Sequence, residues 1–107
     1  MAAEAVFTLD KIHVNDIGTN LRVTVEDDGA VVDLTGHTAL VYKFTKPDST
    51  TLYKSGTAYV AASGIMNYTT VDGDLDQKGI WFLQCYVEIP SGNWHTNKAT
   101  FTVHETS

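Results

Sequence analysis

Turn-forming residues cut this chain at short, regular intervals, and the segments between them alternate apolar with polar side chains. Such turns fall at residues 33–36, 47–49 and 90–92. A spacing of about 8–12 residues between turns is typical of an antiparallel β-sandwich, because each strand crosses one sheet and then reverses. We therefore predict an all-β protein, an Ig-like antiparallel β-sandwich of about seven to nine strands. Residues 1–107 would form one domain, with its core at about 6–104 and a short tail at each end.

Length and charge exclude several classes of protein. A chain of 107 residues can bury a core without a metal or disulfide, and its 43% hydrophobic content is that of a globular protein. Thirteen acidic and seven basic residues give a net charge of -6. The basic residues are scattered, whereas a nucleic-acid surface needs clustered lysines and arginines. We therefore expect no nucleic-acid partner.

Cysteine usage and hydropathy indicate where the chain folds. The single cysteine, Cys85, lies in an apolar run, where a buried, inert thiol is expected rather than a nucleophile. The lack of disulfides favours synthesis in a reducing cytoplasm. The first residues do not resemble a signal peptide, and no window approaches the ~20 apolar residues of a membrane helix. We expect a soluble protein without a membrane partner.

Period-two alternation assigns the faces of the main strands. Residues 21–26 place Leu21, Val23 and Val25 on one face, and residues 38–45 place Leu40, Tyr42 and Phe44 inward. The strongest strand spans residues 80–89. Its inward face is predicted to carry Trp81, Leu83, Cys85, Val87 and Ile89, and its outward face Ile80, Phe82, Gln84, Tyr86 and Glu88.

The remaining strands are predicted from shorter patterns. The first lies within residues 7–14, and short edge strands cover 52–54 and 58–61. After a tight hairpin at 91–93, residues 94–104 return as one last strand with Phe101 and Val103 buried. The terminal segments 2–7 and 104–107 are expected to act as free tails at intersubunit contacts, because a tail can add to a neighbour's sheet edge.

No catalytic, cofactor-binding or metal site is predicted. Asp72, Asp74 and Asp76 have the alternate-carboxylate spacing of a calcium loop, but Gln77 and Leu83 stand where glycine and glutamate belong. We interpret this acidic loop, residues 72–76, as solvated. The serines lie in or beside turns without the context of a nucleophile. The histidines lack a close ligand pair, with two of them far apart on one predicted strand, so we expect surface histidines: His13, His37, His95 and His104.

Six aromatic side chains are candidates for an exposed binding surface: Tyr42, Tyr53, Tyr59, Tyr68, Tyr86 and Trp94. Aromatic rings on one sheet face can stack against sugars or anchor a protein partner. Cross-strand packing explains most of them equally well. Both interpretations remain open from the sequence.

The turn pattern also carries a family resemblance. The segments that carry it are residues 16–21, 32–36, 46–48, 64–68 and 79–82. With its Asp33-Leu34-Thr35-Gly36 turn, its Pro47-Asp48 hairpin and the Gly79-Ile80-Trp81 start of a strand, the chain resembles the amino-terminal domain of phage baseplate upper proteins and related tail-associated Ig-like modules. The resemblance covers roughly residues 6–104. Ser49 departs from it, standing where the family usually has glycine.

The resemblance implies a non-enzymatic phage virion protein that needs no cofactor. Its partners would be other virion structural proteins and copies of itself, after synthesis in the host cytoplasm. Because the chain ends at Ser107 without a receptor-engaging region, we expect an adaptor or decoration subunit on tail, baseplate or neck proteins. The alternative is a carbohydrate- or receptor-binding module for host attachment. A third possibility is an Ig repeat of a bacterial surface adhesin.

Overall fold

The protein is a two-sheet β-sandwich in a computed structural model that describes residues 3–6 and 12–105. The prediction of an all-β sandwich is confirmed. Short flanking strands bring the described number to eleven, above the predicted seven to nine. The strands are β1 (Ala3–Val6), β2 (Ile12–His13), β3 (Asn20–Asp27), β4 (Ala30–Val31), β5 (Ala39–Thr45), β6 (Thr51–Ser55), β7 (Thr57–Val60), β8 (Ile65–Thr69), β9 (Gly79–Ile89), β10 (Gly92–His95) and β11 (Ala99–His104).

The order of the strands in the two sheets is that of an immunoglobulin-like domain. The five-stranded sheet has the order β1-β3-β8-β7, with β4 also paired to β3. The six-stranded sheet has the order β2-β11-β9-β5-β6, with β10 also paired to β9. Neighbouring strands are antiparallel except β2 and β11, which are parallel. This arrangement matches the ABED and GFC sheets of the immunoglobulin fold, with an added strand at each edge of the second sheet.

The core lies between the two sheets and is built from the predicted inward faces. Leu21, Val23 and Val25 of β3 are buried, as are the inward residues of β5. On β9 the alternation is also confirmed: Trp81, Leu83, Cys85 and Val87 are buried, and Ile89 is partly buried. Period-two patterning identifies the inward residues of these strands, because one face of each strand is buried in the core.

An aromatic cluster fills the centre of the core around Phe44. The ring of Phe44 contacts the rings of Trp81 and Phe101 edge-on, at centroid distances of 6.3 and 6.2 Å. It stacks with the ring of Tyr42 at a centroid distance of 6.0 Å. Tyr42 is fully buried and its hydroxyl donates to the carbonyl of Leu21 at 2.7 Å. Burial raises the pKa of Tyr42. Tyr42 therefore belongs to the core and not to the surface aromatics.

The predicted last strand is interrupted, and the prediction of one strand over 94–104 is wrong. It is divided into β10 and β11 at Thr96. The amide of Thr96 donates to the carbonyl of Cys85 at 2.8 Å, and its Oγ1 accepts the amide of Cys85 at 2.9 Å. A side-chain oxygen thus replaces a backbone carbonyl in the ladder. The buried backbone therefore remains hydrogen-bonded at the interruption.

The first strand also differs from its prediction. The structure has two short strands, β1 and β2, in place of one over residues 7–14, and residues 7–11 lie outside the described part. β1 pairs with β3 along four residues, from Ala3 opposite Asp27 to Val6 opposite Thr24. The described part of the expected amino-terminal tail is therefore an edge strand of the domain's own sheet. At the other end, His104 closes β11, and residues 106–107 lie outside the described part.

The chain crosses from one sheet to the other at Gly56. This residue joins β6, the edge of the six-stranded sheet, to β7, the edge of the five-stranded sheet. The amide of Gly56 donates to the carbonyl of Leu40 at 2.7 Å. A Cβ atom at this position would lie 2.6 Å from a ring carbon of Tyr42, so the crossing requires glycine.

Candidate docking face of the six-stranded sheet

The outer face of the six-stranded sheet carries two exposed apolar side chains on its central strand. Ile80 and Phe82 of β9 are 58% and 43% exposed. In register, Ile80 lies opposite Thr102, and Phe82 lies between Thr100 of β11 and Thr45 of β5. The three neighbours are threonines, whose side chains are short. The side chains of Ile80 and Phe82 therefore project beyond the residues around them. We call these five residues the apolar ridge.

Further along the same face, a pocket opens between strands β5, β6, β9 and β10. Its volume is about 350 Å³. Lys43 lies directly opposite Tyr53 on one side and Gln84 on the other. In the next row, Tyr86 lies opposite His95, and their rings are 4.7 Å apart at the centroids. We call this the outer pocket; its lining residues are Val41, Lys43, Tyr53, Gln84, Cys85, Tyr86 and His95.

The polar groups of the outer pocket differ in how they are held. The Nε2 of Gln84 donates to the carbonyl of Thr96 at 2.8 Å, which fixes the amide. Desolvation and a hydrogen bond to Glu88 raise the pKa of Tyr86. No carboxylate of residues 12–105 lies within ion-pair distance of Lys43. The pocket therefore combines aromatic walls with an available positive charge.

Cys85 lies beneath the outer pocket with its side chain in the core. Burial raises the pKa of its thiol to about 12. A thiol with such a pKa is neutral near pH 7 and is a poor nucleophile. The expectation of a buried cysteine is confirmed.

Comparison with known protein families agrees with this fold. Residues 6–106 match the BppU N-terminal domain, the amino-terminal domain of phage baseplate upper proteins. The chain belongs to this family. No curated protein matches it. Membership of this family identifies the chain as a structural component of a phage baseplate, and hence of a virion. As such a component, it interacts with other virion structural proteins.

Two turns that carry the resemblance to the BppU N-terminal domain share one hydrogen-bonding device. Asp33 accepts from both the amide and the hydroxyl of Thr35, at 2.9 and 2.5 Å. Asp48 does the same with Thr50, at 3.0 and 2.6 Å. These bonds lower the pKa of both aspartates. Between the second pair, Ser49 has a φ of 73°, a left-handed conformation that glycine adopts more easily.

The acidic loop is not simply solvated, which corrects the interpretation from the sequence. Asp74 is only 6% exposed; it accepts from the Tyr68 hydroxyl and from the amide of Val71 at 2.9 Å. The Nζ of Lys54, on β6, forms an ion pair with the Oδ1 of Asp74 at 3.3 Å. Burial raises the pKa of Asp74, but these three partners outweigh burial and hold it below the usual range. Asp74 is a structural contact between the two sheets.

The structure distributes the histidines over several sites. His95 lines the outer pocket, and His37 is exposed. His95 and His104 lie on different strands, contrary to the prediction of one strand. His13 and His104 are neighbours in parallel strands, with ring centroids 6.2 Å apart. Within residues 12–105, no group of three or more potential ligands is arranged to hold a metal ion.

Apart from Tyr42, which lies in the core, the aromatic candidates separate into three groups. Tyr53 and Tyr86 belong to the outer pocket. Tyr59 is on the five-stranded sheet, where the guanidinium of Arg22 lies 4.0 Å above its ring. Tyr68 and Trp94 are partly buried against the core.

The described part of the chain contains no helix of the length and apolarity that a bilayer crossing requires.

Proposed function

We propose that the chain is an adaptor or decoration subunit that docks onto neighbouring tail, baseplate or neck proteins through the apolar ridge. The observation that carries this proposal is the exposure of Ile80 and Phe82 on the central strand of a baseplate-family sandwich. Large exposed apolar side chains on a regular sheet face favour contact with another protein. A virion repeats each contact by symmetry, so a modest interface suffices.

The strand edges support association between copies of the chain. β6 and β7 are the outermost strands of the two sheets on the same flank. Their unpaired backbone groups can accept a strand from a second copy, which is the usual way an open edge recruits a partner. In this proposal, residues 1–107 act as one module. It is made in the host cytoplasm and works without catalysis, cofactor, metal, nucleic acid or membrane.

Charge substitution on the apolar ridge tests the docking role. Phe82→Asp should leave the melting temperature within a few degrees, because the side chain is partly exposed, and should strongly reduce incorporation into purified baseplates. Val31→Asp is the matched control, because Val31 is an exposed apolar residue on the other sheet. Quantitative mass spectrometry of particles measures occupancy.

Two results would contradict the proposal. Normal occupancy of folded Phe82→Asp would show that the apolar ridge does not contact a partner. Equal loss with Val31→Asp would indicate a general effect of added charge. Light scattering of the purified chain separately tests self-association, and a strict monomer at high concentration would exclude the homo-oligomer.

A further inference from the structure

We propose that the outer pocket binds a single carboxylated sugar ring. This activity goes beyond docking and uses other residues of the same sheet face. The volume of about 350 Å³ is at the lower end of the range of ~300–1,000 Å³ typical of ligand sites. A pocket of this size can hold one sugar ring.

The walls of the outer pocket suit the faces of a sugar ring. Tyr53 is 62% exposed, so much of its surface is available to a ligand. The tilted rings of Tyr86 and His95 form a second aromatic wall. Tyr86 lies two residues after Gln84 on β9. Residues directly opposite each other in antiparallel strands have Cβ atoms ~4.5–5.5 Å apart, so Tyr53 and Lys43 act on the same ligand. Aromatic walls with a few polar groups are the usual lining of a small-molecule site.

The charge of the pocket selects an anionic sugar. The chain has a net charge of -6, yet Lys43 has no carboxylate within ion-pair distance in residues 12–105. Its ammonium can donate up to three hydrogen bonds to a carboxylate, and bonds between charged groups are stronger than neutral ones. Glu88, which is hydrogen-bonded to Tyr86, is the nearby acid and disfavours a ligand with a second negative charge on that side.

Hydrogen bonding orients the bound ring. The amide nitrogen of Gln84 donates to the carbonyl of Thr96. The amide oxygen of Gln84 can therefore accept a hydrogen bond from a sugar hydroxyl. A ring nitrogen of His95 can serve a second hydroxyl. The carboxylate would then lie at Lys43 and the hydroxyls toward β10, with the apolar side of the ring against Tyr53.

A matched pair of ligands tests the proposal on the purified chain. Methyl glucuronide and methyl glucoside differ only in the carboxylate, and amide chemical shifts report where each binds. We expect the glucuronide to give saturable shifts around Tyr53, Gln84 and His95, and the glucoside to bind ~10-fold or more weakly, because it lacks the charged hydrogen bonds. Added salt should weaken glucuronide binding.

Substitutions outside the core provide the controls. Lys43→Gln and Tyr53→Ala should each reduce affinity for the glucuronide by ~10-fold or more. Lys98→Gln and Tyr59→Ala remove an exposed lysine and an exposed tyrosine away from the pocket and should change nothing. Chemical shifts far from each substitution confirm that every variant is folded.

Three outcomes would overturn the proposal. The first is the absence of saturable shifts with the glucuronide, and the second is equal binding of the neutral glucoside. The third is equal or tighter binding of N-acetylglutamate, which would make the outer pocket a receptor for an acidic side chain of a protein. Each of these results leaves the docking test at Phe82 unaffected, so failure of one proposal is distinguishable from failure of the other.

Discussion

Truncation of Trp81 to alanine is expected to lower the free energy of unfolding by about 3–5 kcal/mol. Trp81 is only 1% exposed, and its ring stacks on Phe101 at a centroid distance of 5.8 Å. Its indole nitrogen donates to the carbonyl of Gln77 at 3.0 Å. The side chain therefore connects the core side of β9 to the residue that follows the acidic loop.

The magnitude follows from the buried area. A buried aromatic side chain removes ~150–250 Å² from water, which at ~25 cal/mol per Å² is about 4–6 kcal/mol. The unfolded chain already buries ~10–40% of such area, which reduces the figure to about 2–5 kcal/mol, a range that overlaps the expected loss. A domain of this size is stable by ~5–15 kcal/mol, so this loss amounts to between about a fifth and all of its stability.

Urea unfolding at pH 7 measures the effect. Trp94 is retained in the variant and is partly buried against the core, so its fluorescence reports unfolding, with circular dichroism as a second probe. If Trp81→Ala does not fold, Trp81→Phe provides the number: it keeps a ring and loses the indole bond, and should cost about 1–2 kcal/mol. A loss below about 1 kcal/mol for Trp81→Ala would refute the assignment of this face to the core.

Four further predictions concern other parts of the fold. Because its partners hold the pKa of Asp74 low, the stability that Asp74 contributes should be complete above its unfolded pKa of ~3.9 and lost as the pH falls through its folded pKa. Asp74→Asn should therefore reduce the loss of urea-measured stability between pH 5 and 2, and an unchanged profile would contradict this. Gly56→Ala should cost about 1–3 kcal/mol in the same assay, because the new Cβ overlaps Tyr42, and an unchanged midpoint would show that the crossing relaxes freely. Millimolar calcium or EDTA should not change the melting temperature, whereas a rise of several degrees with calcium would make the acidic loop a metal site. Deletion of residues 1–6 should lower the melting temperature, because it removes β1 and uncovers the edge of β3; a truncated chain of full stability would contradict the pairing.

The main strands and their faces could be predicted because the local signal agrees with the tertiary structure. Along β9 every second residue from Trp81 to Val87 is buried, and the residues between them face outward as predicted. Shifting this strand by one residue would bury Gln84 and expose Leu83, so a single register fits the pattern. Turns could be predicted as well: Gly36 and Ser49, which lie in the predicted turns 33–36 and 47–49, adopt positive φ values of 79° and 73°.

Two errors arose where a long-range contact overrides the local pattern. Threonine is favourable in a strand, so the sequence around Thr96 contains no sign of an interruption. The break depends on the amide of Cys85, eleven residues away in the chain. The acidic loop is similar, because burial of Asp74 depends on Lys54 of β6. Sequence alternation did not indicate that this lysine would point toward the loop.

The candidate surface was only partly predictable for the same reason. Alternation along β9 placed Ile80 and Phe82 on the outer face, which the structure confirms. The outer pocket could not be foreseen, because Lys43, Tyr53 and His95 come from three strands and meet only through their register with β9 or with each other. Pairing between distant strands is not encoded in a short window.

The single-residue crossing at Gly56 has a mechanical consequence. On that flank the edge strands β6 and β7 are joined through one residue. A short covalent link leaves little room for one sheet to slide over the other, so a force applied at β6 and β7 is shared by both sheets. The sandwich should therefore resist sliding of its two sheets at the β6–β7 flank.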